Sequence, residues 1–177
     1  AFTFPSRFQL LAASNPCPCG FLGDREVPCR CSATMVERYR GKLRGPLADR
    51  IDIMIDVTRP DPQVIIEGGE GMSSAELRDY VVRGRAFRAW RESRMDDADT
   101  EAEEDESRSI DGVVSTFGLD EAAEKCVLGL SKRTHLTGRG IVRLVRIART
   151  IADVAESERV MQDHVLEAAM YQGRRDQ

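Results

Sequence analysis

The chain has 177 residues, 41% hydrophobic and 32% charged, which suits one medium or two small globular domains with some solvated, irregular stretches. No apolar run approaches the ~18 residues that a membrane span needs, and residues 1–7 lack the charged-then-apolar layout of a signal peptide. The net charge of −4 is unevenly spread: residues 96–111 hold nine acids against Arg108, a local charge of −8, and leave the remainder at +4.

In chain order, residues 8–13 form a short apolar run stopped by Ser14, Asn15 and Pro16, the pattern of a strand buried on both faces of a sheet. A cysteine- and glycine-rich loop follows to about Ser32. Thr34, with Glu37 three residues on, is expected to cap a helix running to about Arg44, before Gly45 and Pro46 stop it. Residues 51–57 alternate β-branched and polar side chains and predict a second strand. Residues 61–72, rich in glycine, containing Pro62 and preceded by Pro60, read as a linker that neither helix nor strand tolerates well, and the domain boundary is expected there.

Beyond it the pattern is helical. Helices are predicted over 73–94, 119–132, 138–156 and 163–172, with Ser73 to Glu76 opening the first. In the third, Ile141, Leu144, Val145, Ala148, Ile151 and Ala152 share one face, and Arg139, Arg143, Arg146 and Thr150 are expected on the opposite one. Residues 95–111 are too acidic and too poor in large apolar side chains to offset their ordering entropy, and read as a mobile, disordered insertion. The architecture expected is a small α/β remnant followed by a helical bundle. The mildly basic remainder permits nucleic-acid contact without demanding it.

Four constellations carry chemistry. Asn15 follows a strand end, where ligands of open α/β sheets bind, and an amide can orient a water toward a γ-phosphate. The plainer alternative is an Asn that merely ends a strand. Arg50, in GPLADRID, can reach a neighbouring subunit's triphosphate, or pair locally with Asp49 or Asp52. Arg139 lies at a helix start, where unpaired N–H groups suit phosphate binding and disfavour a cation, so some compensating anion is expected; an exposed Arg with no partner is the alternative. Cys17, Cys19, Cys29 and Cys31 match the stoichiometry of tetrahedral zinc, against the alternative of free reduced thiols, although the one-residue gaps are tighter than in common zinc knuckles. His135 and His164 have no partner by spacing and read as surface or packing residues. No G-x-x-x-x-G-K-[ST] loop occurs, so the chain alone is not expected to bind or hydrolyse ATP strongly.

Taken in order, the segments FPSRFQL, AASNPCPCG, GPLADRID, GMSSAE and RIARTIAD resemble the bacterial magnesium-chelatase-like AAA+ proteins of the ComM/YifB competence group, over nearly the whole chain. The acidic insertion departs from that pattern. The resemblance implies that residues 1–60 are the C-terminal part of an AAA+ core and 73–177 a helical lid. It implies a sensor 1 role for Asn15, an arginine-finger role for Arg50 and a sensor 2 role for Arg139. It further implies ATP and Mg2+ as cofactors of the full-length protein, a hexameric ring of identical subunits in the cytoplasm, and DNA branch migration. The Walker segments and a protease-like domain would lie upstream of Ala1, making this a C-terminal fragment. Without the strand that carries the phosphate loop, the first sixty or so residues are expected to order poorly while the lid stands alone. The rivals are a zinc-stabilised, non-enzymatic nucleic-acid-binding module using the Arg143 and Arg146 face, and a true magnesium-chelatase subunit acting on a porphyrin.

Overall fold

A computed structural model describes residues 8–42, 50–68, 71–94 and 113–172. The acidic insertion expected at 95–111 lies outside the described residues, as do residues 45–49 of the GPLADRID segment. The chain forms two compact units, Ala1–Ala48 and Asp49–Gln177.

The first unit holds the cysteine loop and α1 (Ala33–Gly41). Ser32, rather than Thr34, caps this helix, its hydroxyl accepting from the Met35 N–H at 3.3 Å. The Nε of Arg40 donates to the Pro16 carbonyl at 3.4 Å, which returns the end of the helix to the start of the loop.

The second unit contains α2 (Pro62–Glu67), α3 (Ser74–Ser93), α4 (Val113–Phe117), α5 (Glu121–Thr134), α6 (Gly138–Val154) and α7 (Gln162–Met170). The start of α3 is a capping box: Ser73 accepts from the Glu76 N–H at 3.2 Å, and the Glu76 carboxylate accepts from the Ser73 N–H at 2.7 Å. The Ser73 N–H, together with the Ser73 hydroxyl donating at 2.8 Å, holds the Glu76 carboxyl below the usual carboxylate range. Helix α6 is central. It buries Leu144, Val145, Ile147, Ala148 and Ala152 against Ala123 and Val127 of α5 and Val165 and Ala168 of α7. A fully buried Leu or Val contributes about 1.5–3 kcal/mol over its exposed state, so this cluster supplies most of the unit's cohesion.

Helix α3 crosses α6 at Gly84, the one buried residue of α3 among those described. A Cβ at Gly84 would sit 3.0 Å from Val154 Cγ2 and 3.2 Å from Val154 Cα, so glycine permits the close approach. A pair of backbone bonds joins the ends of the bundle: Asp120 N–H donates to Val160 O at 3.0 Å and Val160 N–H to Gly118 O at 2.9 Å.

Three expectations need correction. Neither strand forms: residues 8–13 and 51–57 are irregular, without ladder partners among the described residues, and Leu11 and Val57 are 95% and 88% exposed. Their apolar pattern encodes a demand for neighbouring strands, and a strand with no neighbour cannot satisfy its N–H and C=O row. The stretch at 62–67, read as hostile to helix, is α2, because Asp61 caps it and Pro62 occupies its first turn, where a missing N–H costs nothing. Arg143 does not share an exposed face with Arg146: it is 5% exposed. The basic face invoked for a nucleic-acid-binding module therefore loses one of its two named residues.

Candidate metal centre and nucleotide-sensing residues

The cysteine loop is shaped by residues other than its cysteines. Gly20 and Gly23 adopt φ of 84° and 85°, the left-handed region in which only glycine is unstrained, and Gly20 N–H closes a turn on Cys17 O at 3.0 Å. The Asp24 carboxylate accepts from the N–H groups of Glu26 and Val27, both at 2.9 Å, and turns the chain back toward Cys29. The result gathers four thiols from positions 17, 19, 29 and 31, with all sulfurs within 4.8 Å of one another.

The geometry fits a metal. Sγ–Sγ separations are 3.3 Å for Cys17–Cys19, 3.7 Å for Cys17–Cys29 and 3.5 Å for Cys19–Cys29. Zn–S bonds of ~2.3 Å arranged tetrahedrally place sulfurs ~3.8 Å apart, so small outward shifts would admit the ion. Backbone N–H groups of Phe21 and Arg30 point at Cys19 and lower its thiol to about 6, while burial pushes Cys31 up to about 12. A four-thiolate set leaves no open coordination position, which makes such a centre structural rather than catalytic.

Asn15 lies in the same unit, just ahead of the loop, and is exposed. Arg50 and Arg139 lie in the other unit and are both exposed, Arg50 just ahead of the irregular stretch 51–57 and Arg139 in the first turn of α6. The α6 cap is Thr137, whose Oγ1 accepts from the Gly140 N–H at 3.2 Å. That first turn carries no acidic side chain. A guanidinium thus sits at the positive end of a 17-residue helix whose first turn supplies no carboxylate to compensate it.

Other polar residues were not legible as parts of the arrangement. Arg143, on α6 one turn beyond Arg139, donates from Nη1 to the Ile51 carbonyl at 2.8 Å. Gln172 donates from Nε2 to the Gly140 carbonyl at 3.2 Å in a buried setting. Deeper in α6, Arg149 and Asp153 pair at 2.9 Å, and Arg149 also donates to the carbonyls of Ser157 and Glu158. The signal for Arg149 was available, since helical spacing puts it beside Ala152 and Val145; no local signal marks Arg143. His164 has a structural role: its Nδ1 accepts from the Met161 N–H at 3.0 Å at the start of α7. His135 closes α5 in the left-handed conformation, φ 50°.

Comparison with known proteins adds two family matches. Residues 1–65 match the family described as magnesium chelatase, subunit ChlI, and residues 71–172 its ChlI C-terminal family. Among curated relatives, competence protein ComM of Haemophilus influenzae is 34% identical over 170 residues, covering 95% of this chain. The protein YifB of Escherichia coli (strain K12) is 29% identical over 179 residues, covering 96% of the chain. A Mycobacterium tuberculosis (strain H37Rv) protein is 33% identical over 156 residues, covering 86% of the chain and 29% of its own length. The chain spans 31% of the length of the first two relatives. Among the described residues, no helix is long and apolar enough to cross a membrane.

Proposed function

Since the chain belongs to the magnesium chelatase ChlI-like family of ComM and YifB, we propose that it is the ATP-sensing and subunit-coupling portion of an AAA+ ATPase. The whole protein would work as a cytoplasmic, ring-shaped, DNA-remodelling motor of identical subunits. The phosphate-gripping loop and its Mg2+ site would reside on polypeptide ahead of Ala1.

The observation that carries this reading is Arg139: exposed, at the positive end of α6, with no acidic residue in the first turn. A cation held there destabilises the isolated helix and gains when a γ-phosphate arrives. In the proposed ring Arg139 binds the γ-phosphate of its own subunit's ATP, and Asn15 orients the attacking water. Arg50 reaches the ATP of the neighbouring subunit, where a guanidinium spreads over transition-state charge that binding alone does not create. The cysteine quartet holds Zn2+ and fixes the loop that follows Asn15, a structural task with no step in hydrolysis.

The test uses the full-length protein with Arg50→Ala. Nucleotide affinity is expected to stay within about twofold, while kcat falls by about 10³- to 10⁵-fold, the range an arginine finger supplies. Turnover that survives the substitution would remove Arg50 from the reaction.

A further inference from the structure

Arg143 ties the two proposed arginine sites together. It projects from α6 four residues after Arg139 and is 5% exposed, and its Nη1 bonds the carbonyl of Ile51, the residue next to Arg50. Burying a guanidinium is costly unless its donors are used; Nη1 uses the Ile51 carbonyl, while Nε and Nη2 are buried without a hydrogen-bond partner among the described residues. One further bond braces the same strap, and another ties that bond's far anchor to α6. Met54 N–H donates to Tyr171 O, just past α7, at 2.8 Å, and neighbouring Gln172 donates to Gly140 O, in the first turn of α6, at 3.2 Å. The segment 51–54 is thereby fixed at Ile51 to α6, the helix that carries Arg139, and at Met54 to the residue just past α7.

We infer that Arg143 is a positioning residue that makes Arg50 follow the movement of α6, so that the state of one subunit's ATP sets the reach of its arginine finger into the next subunit's site. The inference rests on the proposed roles of Arg139 and Arg50 and goes beyond them, since neither role requires the two to move together. Consecutive Cα atoms are ~3.8 Å apart, so an Ile51 carbonyl released from α6 removes a tie to that helix one residue from Arg50. Misplacing a transition-state group by about 1 Å can cost on the order of 10²-fold in rate without weakening ground-state binding.

The experiment is a double-mutant cycle on the full-length protein, read by single-turnover ATP hydrolysis with ATP affinity measured in parallel. Arg143→Met keeps the aliphatic bulk and removes the donor. It is expected to lower the hydrolysis rate about 10- to 100-fold, with ATP affinity within about twofold, and to add nothing in an Arg50→Ala background. Arg143→Lys, which restores a cationic donor, is expected to recover most of the rate. Should Arg143→Met not assemble, Arg143→Gln, shorter but still polar, takes its place in the same cycle. A loss that multiplies with Arg50→Ala, or that tracks ATP affinity and thermal stability alone, overturns the inference; so does an unchanged rate. A normal rate in Arg50→Ala alone would instead overturn the arginine-finger reading beneath it.

Discussion

The guanidinium of Arg91, near the end of α3, grips the carboxylate of Asp153, at the end of α6, through bonds of 3.0 and 3.4 Å. Asp153 also pairs with Arg149, and the three side chains are only 14%, 7% and 6% exposed for Arg91, Asp153 and Arg149 respectively. One carboxylate is therefore shared by the buried Arg149 and the half-buried Arg91, which also pairs with Glu92 at 3.4 Å, and Arg149 passes the connection on to the backbone at Ser157 and Glu158. Burial lowers the Arg149 pKa, with the charge of Asp153 opposing that fall.

Replacing Asp153 by Ala leaves two cations without their shared anion. Breaking a buried pair in this way costs about 3–5 kcal/mol. Urea unfolding of the chain should show that loss in midpoint, with little change in slope. A cost below about 1 kcal/mol would mean that the pairing is solvent-screened like a surface ion pair.

Much of this architecture can be read from sequence, and the failures have physical causes. The face of α6 that carries Leu144, Val145, Ala148 and Ala152 follows from helical spacing, and the structure buries it. Arg143 escaped because nothing within its own helix buries it; its hydrogen-bond partner is Ile51, 92 residues away in sequence. The cysteine quartet was legible because the glycines and Asp24 that fold the loop lie between the ligands themselves. Residues 8–13 and 51–57 read as strands because their composition demands a sheet, but periodicity registers the demand and not the presence of a neighbour. Helix α2 was missed although Asp61-Pro62 is a recognised helix start, because the prolines and glycines around it were weighed as breakers.

The metal proposal predicts one Zn2+ per chain by elemental analysis of protein purified under reducing conditions. Cys17→Ser or Cys29→Ser should bring the content close to zero, since a three-thiolate remnant opens the site to water and competing ligands. Stoichiometric zinc in both variants would show that the sulfurs meet for another reason.

Hydrogen exchange should separate the segments sharply. Amides of residues 8–13 and 55–57 lack ladder partners among the described residues and are expected to exchange near the unprotected rate, while the middle of α6 is the slowest region of the chain. The Met54 amide, bonded to Tyr171 O, should stand out as protected within its segment. Strong protection across 8–13 in the isolated chain would contradict the reading of that stretch as a strand awaiting partners.

Subunit mixing addresses the central claim most directly: Arg139 serves its own subunit's nucleotide and Arg50 the neighbour's. Full-length Arg50→Ala and Arg139→Ala proteins are each expected to hydrolyse ATP poorly. Mixed in equal amounts, about a quarter of the interfaces in a ring would join an intact Arg139 on one side to an intact Arg50 on the other. The account predicts that the mixture recovers activity well above either protein alone, approaching that share of the unsubstituted rate. Activity no greater than the mean of the two separate proteins would contradict it, because both arginines would then belong to one subunit's chemistry or to none.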